Sequence, residues 1–149
     1  MNNPGIKLVK ELPEFDCLVS IPGIGELTLT LFIGQIGCIK RFDSAKKVNA
    51  FVGIDIRRYQ PGQKTMREHI GRHGNTKARV LLYEMIQSML FNKNRIKNHI
   101  VDYYYKLKTA PMNKPHMVAV VGAENHLIRC MYNLVKFNTI YDYTRTNHS

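Results

Sequence analysis

The sequence predicts a mainly α fold, a compact multi-helix domain with a helix-hairpin-helix element and a long basic loop. Three observations lead there. Apolar residues recur at helical spacing in three long stretches of the second half. A glycine hairpin, Ser20-Ile21-Pro22-Gly23-Ile24-Gly25-Glu26, separates two short helical stretches. Residues 54–74 lack any periodicity and hold Pro61, Gly62, Gly71 and Gly74, which reads as a long loop.

The elements follow in order. Residues 1–12 read as an N-terminal extension, 13–137 as the domain, and 138–149 as a polar tail expected to fray. Pro13 suits a first helical position, and Glu14 and Asp16 favour the dipole of a short helix ending near Ser20. In residues 27–33, Leu27, Leu29, Leu31 and Ile33 alternate with Thr28, Thr30 and Phe32. That alternation fits a strand; the hairpin before it favours a helix, which would then bury nearly all round. Ser44 can cap a helix that Gly53 closes, with Ala45, Val48 and Val52 on one face. Asn75 or Thr76 caps a helix to about Phe91, striped by Leu82, Met85, Ile86, Met89 and Leu90. The next stripe is Ile96, Ile100, Tyr103, Tyr104 and Leu107. After a linker over 109–114, Pro115 opens a last helix to about Phe137, with Val120, Val121, Leu127, Ile128, Met131, Leu134 and Val135 inward. The total is roughly six helices.

The 149 residues carry 22 Lys+Arg against 11 Asp+Glu, a net charge of +11. A surplus of that size attracts polyanions, so nucleic acid leads the expected partners. The charge is uneven: residues 1–37 sum to −2, 38–80 to +8 and 81–149 to +5. The middle stretch is the expected polyanion surface. An apolar fraction of 44% excludes wholesale disorder. No apolar run reaches membrane-spanning length and the first residues do not read as a signal peptide, so a membrane or secreted protein is not expected. Cys17, Cys38 and Cys130 read as buried thiols in a reducing compartment.

Four groups of residues could carry chemistry. Gly23, Ile24 and Gly25 can turn the backbone so that the amides opening the next helix meet a phosphate without reading bases. Arg72, Asn75, Lys77 and Arg79 cluster at a helix start, where cations oppose the dipole unless an anion binds them. Arg57, Arg58 and Lys64, with Arg67 beyond, surround Tyr59 in a loop suited to a phosphodiester; Tyr59 is a weak candidate nucleophile. Lys40 and Arg41 extend the basic surface. His69 and His73 lack a third ligand, and no metal site is expected. Tyr103-Tyr104-Tyr105 could stack bases, but two of them fit the core stripe.

A run of motifs then gathers these residues into one pattern. After the hairpin come Arg41-Phe42-Asp43-Ser44-Ala45-Lys46, Ala50-Phe51-Val52-Gly53-Ile54, Tyr59-Gln60-Pro61-Gly62, Arg72-His73-Gly74-Asn75 and Lys114-Pro115-His116. In that order they resemble the C-terminal domain of insertion-sequence transposases of the IS-one-ten, or IS116-like, type. The resemblance spans about residues 13–136. It implies DNA transposition and recombination by proteins that pair this domain with an N-terminal RuvC-like domain bearing a DEDD carboxylate set. It further implies a structured bridge RNA as guide and a serine nucleophile in a Tyr-Gln-Ser-Gly type loop.

Carried onto this chain, Tyr59, Gln60 and Gly62 match, and Pro61 stands at the serine position without a hydroxyl. The resemblance implies Mg2+ only for the carboxylate domain, and the chain starts just ahead of the hairpin. The expectation is therefore a truncated, DNA-binding transposase domain without its own strand cleavage and with no cofactor of its own. Its expected partners are DNA, a guide RNA, and a DEDD-domain partner or a second copy. Its expected place is the cytoplasm, on the nucleoid. Two alternatives stay open: a competent recombinase, by complementation or through Tyr59, and a stand-alone RNA-binding helical module.

Overall fold

The computed structural model of the chain describes residues 4–54 and 74–145. Among these residues it holds seven α-helices, one 3-10 turn and no strand. The helices are α1 (Pro4–Lys10), α2 (Pro13–Val19), α3 (Glu26–Ile36), α4 (Ala45–Val52), α5 (Thr76–Phe91), α6 (His99–Lys108) and α7 (His116–Lys136); the 3-10 turn is Ile39–Arg41. The extra helix relative to the sequence expectation is α1, in what read as an extension. It buries no residue fully, and without an apolar stripe it leaves little periodic signal.

α3 is a helix, and it is not buried all round. Leu29, Phe32, Ile33 and Ile36 point inward at spacings of three and four, while Leu27 and Leu31 are 60% and 43% exposed. The apparent strand alternation therefore mixed two faces of one helix. The caps fall where the sequence places them. Ser44 Oγ accepts from Lys47 N at 3.2 Å, Asn75 Oδ1 accepts from Ala78 N at 3.0 Å, and Gly53 closes α4 in the left-handed region. The start of α6 is Asn98, whose Oδ1 accepts from Ile100 N at 2.7 Å; Ile96 packs on the core from the loop before it.

α7 is the centre of the fold. Ala119, Val120, Val121, Gly122, Ala123, Leu127, Ile128, Met131 and Val135 are all buried, so it is covered on several faces. α2, α4, α5, α6 and the 3-10 turn pack against it, and α3 packs on α5 with α1 outside. Glu14 of α2, buried, accepts from Ile39 N at 3.2 Å and ties the 3-10 turn to that helix. Cys17 is buried and Cys38 and Cys130 are only half-buried, a correction to the expectation of three buried thiols; all three are free.

Over 139–145 the tail is hydrogen-bonded back onto the fold, where its polar composition suggested a frayed end. Tyr141 N donates to Ser20 Oγ at 2.8 Å, its hydroxyl accepts from His99 N at 3.0 Å, and Tyr143 OH donates to Asp102 Oδ2 at 2.7 Å. Polar composition suggested fraying, but the two tyrosines supply both ring area and hydroxyls that strap the tail down.

α6 approaches α7 closely at Gly122, where an added Cβ would lie 2.5 Å from Leu107 Cδ1 and 3.2 Å from Tyr103 Cε1. Leu107 Cδ1 is a mobile tip and Tyr103 a stiff ring. Gly122→Ala is therefore expected to be tolerated, helped by helix propensity. Gly122→Val is expected to cost about 1–3 kcal/mol by overpacking. Urea unfolding of the two variants checks this; a valine variant as stable as the parent contradicts the packing.

Candidate nucleic-acid interface

The glycine hairpin is built into the fold rather than held out from it. Gly23 has φ +87°, and an added Cβ there would meet Ile96 Cδ1 at 2.8 Å and Met89 Cα at 3.1 Å. Asn98 Nδ2 donates to Pro22 O at 2.7 Å, Ile21 is fully buried, and Ile24 packs against the core. Of Gly23, Ile24 and Gly25, only Gly25, at the N-cap of α3, is exposed. The first turn of α3 already holds Glu26, whose carboxylate pairs with Lys10 at 3.6 Å.

A second group meets at the far end of α3, roughly 16 Å away by the rise of its 11 residues. Gly74, at φ +97°, lies against Gly53 so tightly that an added Cβ would sit 2.5 Å from Gly53 Cα. Asn75 N donates to Phe51 O at 3.0 Å. The chain thus leaves α4 and re-enters α5 at one point. Residues 55–73, and with them Arg57, Arg58, Tyr59, Gln60, Pro61, Gly62, Lys64, Arg67, His69, Arg72 and His73, lie outside the described residues.

The described basic residues divide by use. Lys77 stands exposed in the first turn of α5, and Lys40 stands exposed on the 3-10 turn. Arg79 Nη1 donates to Val52 O at 3.0 Å and Nη2 to Thr76 Oγ1 at 3.1 Å. A cation that opposes the α5 dipole thereby satisfies a carbonyl at the C-terminus of α4. Arg41 Nε donates to Ile36 O at 2.8 Å, closing α3, and its guanidinium lies 4.2 Å from the Phe42 ring centroid and 4.9 Å from that of Phe51. Asn75 caps α5, and its amide reaches Gln35 Oε1 at 3.3 Å. Arg41, Asn75 and Arg79 therefore hold the junction together, while the side chains of Lys40 and Lys77 stand exposed.

Beneath the junction lies Glu124 of α7, buried. Burial pushes its carboxyl up to about 8, with the Arg79 charge pulling the other way. Sequence spacing gave no reason to single out Glu124, because its burial comes from α4 and α5 packing over α7. Among the described residues no three His, Cys, Asp or Glu side chains are grouped to hold a metal ion. Tyr104 is buried with its hydroxyl 2.7 Å from His116 Nδ1, so the tyrosine triplet contributes to the core as its stripe indicates.

The family model described as Transposase IS116/IS110/IS902 family matches residues 16–101. The chain belongs to that family. The match runs from α2 through the junction to the start of α6. The chain is also 32% identical over 87 residues to the transposase for insertion sequence element IS1111A of Coxiella burnetii (strain RSA 493 / Nine Mile phase I). That alignment covers 57% of this chain and 24% of the relative, so the chain matches about a quarter of that transposase. No solved structure matches. Among the described residues, no helix is long and apolar enough to cross a membrane.

Two outcomes follow. Gly23→Ala is expected to lower stability by about 1–3 kcal/mol through strain and contact with the Met89 backbone; an unchanged melting temperature contradicts the packing of the hairpin. Glu124 is protonated in the fold up to about pH 8, whereas an unfolded carboxyl ionises near 4.5. Its contribution is full below 4.5, falls as pH rises toward 8 and is flat above it. Glu124→Gln is therefore expected to gain on the parent across that window, by roughly a few kcal/mol at its top. Urea titrations at several pH values check this; a difference independent of pH contradicts it.

Proposed function

We propose that the chain binds DNA through the phosphate backbone, as the DNA-contacting C-terminal part of an insertion-sequence transposase, and cleaves no strand by itself. The observation that carries the reading is the approach of Gly53 to Gly74. Both ends of the segment bearing Arg57, Arg58, Lys64, Arg67 and Arg72 are thereby held beside exposed Lys77. The net charge of +11 and the family membership support the same partner. Pro61, standing at the family's serine position, supports binding without a serine nucleophile in this chain. A structured guide RNA and a partner with the carboxylate set belong to this reading through the family resemblance. The helix-hairpin-helix role of α2 and α3 is read as one further phosphate contact, at the exposed Gly25 end.

The test is a filter-binding titration with duplex DNA at two salt concentrations. Counterion release predicts that affinity falls roughly a hundredfold or more between about 50 and about 200 mM salt. Lys77→Ala is expected to weaken binding uniformly across sequences and to reduce the salt slope by about one. Affinity that ignores salt, or no binding at low salt, overturns the reading.

A further inference from the structure

A cleft of about 200 Å3 opens between α7, the start of α6 and the tail strap; apart from His99 its lining lies beyond the family match. α7 contributes His126, Arg129, Cys130 and Asn133, spaced as one helical stripe. The strap supplies Thr139 and Arg145 opposite. The His126 ring lies flat on Tyr103, with centroids 4.1 Å apart at 17°, so one aromatic stack is already in place. His99 meets it edge-on at 5.6 Å and is fixed by Tyr141 OH at 2.7 Å from Nδ1. Asp142 on the strap is paired with Arg145 at 3.6 Å and accepts from Thr144 Oγ1 at 2.7 Å; Arg129 and Arg145 are both exposed cations at the cleft, and Arg129 is the one on α7 beside His126.

We propose that this cleft takes one unpaired nucleotide of a nucleic-acid strand, its base against the His126–Tyr103 stack and its phosphate on Arg129. The volume suits a single planar ring, being below that of sites for drug-sized ligands. Asn133 and Thr139 offer both donors and acceptors to a base edge. Burial, and then the neighbouring His99 and the charges of Arg129 and Lys106, push His126 down to about 4, so a neutral ring faces the base. The Cys130 thiol is pushed up to about 12 by burial, so this part of the lining is uncharged. Across the strap a second, more open groove is lined by Ser20, Pro22 and Lys97, with Arg145 common to both. A strand leaving the cleft over the strap therefore meets the hairpin. The inference rests on reading the chain as a nucleic-acid binder, but it uses no residue of the basic segment or its junction.

The test uses the full chain and three probes: a short single-stranded DNA carrying one 2-aminopurine, the matching RNA, and the blunt DNA duplex. The single strand is expected to lose 2-aminopurine fluorescence on binding. Arg129→Ala and Asn133→Ala are expected to weaken single-strand binding ~5–20-fold while duplex affinity stays within about twofold. His126→Phe is expected to keep the quench and His126→Ala to abolish it, with circular dichroism reporting the fold of each. Arg129 is exposed, so its variant tests the cleft even if a histidine variant unfolds. Tighter binding of the DNA or of the RNA strand supports the site equally and identifies the source. Duplex binding without any quench overturns the cleft and leaves the proposed DNA reading standing. Quench without duplex binding supports the cleft and overturns that reading. Equal losses on single strand and duplex overturn the cleft.

Discussion

The burial of α7 on several sides is the constraint on which the other helices depend. Its buried side chains run from Ala119 to Val135 over nearly five turns, and α2, α4, α5 and α6 each cover part of it. The glycine at 122 lets α6 come so close that Leu107 and Tyr103 fill the space a side chain there would take. The same enclosure sets the local chemistry. Glu124, His126 and Cys130 lie on one helix, and desolvation is the largest cause of the shift at each. A single packing decision therefore disfavours the charged form of an acid, a base and a thiol of α7, and at Glu124 it reverses the charge state near pH 7.

The sequence was most legible where one stripe and one cap agree. α4, with Ser44, Val48, Val52 and Gly53, and α5, with Asn75, Leu82, Met85, Ile86 and Met89, needed no tertiary information. α3 was legible only as a conflict, because its leucines sit on two faces and suggested a strand's period; Phe32 and Ile36 restore the helical one. The tail was misread because a polar average conceals two tyrosines with specific partners, Ser20 and His99 for Tyr141 and Asp102 for Tyr143. Those partners are far apart in the sequence, and no local pattern announces them.

The candidate site was legible in composition and not in use. Counting charge assigns every Lys and Arg of residues 38–80 to a polyanion surface. Two of them do something else. Arg41 donates to Ile36 O at the end of α3, and Arg79 to Val52 O at the end of α4. A helix C-terminus presents orphan carbonyls and partial negative charge, so it competes with a phosphate for a guanidinium. α3 and α4 carry no basic residue in their own last turns, and each borrows one from the element beyond. Lysines are poorer at this fixed geometry, and Lys40 and Lys77 stand exposed.

The extent of the family match and the extent of the fold differ, and the difference has a physical meaning. The match ends at residue 101, but the core that supports α2, α4 and α5 is completed by α7, which begins at His116. Residues after 101 therefore support the matched region, and their buried positions are constrained by it: Val120, Leu127, Ile128 and Met131 must fit helices already in place. The outward stripe of the same helix carries no such duty. His126, Arg129 and Asn133 are partly buried or exposed, and the strap that crosses them is tied to Ser20 and His99, within the matched region. The cleft is thus a surface whose walls are fixed by the shared fold and whose floor is free of it.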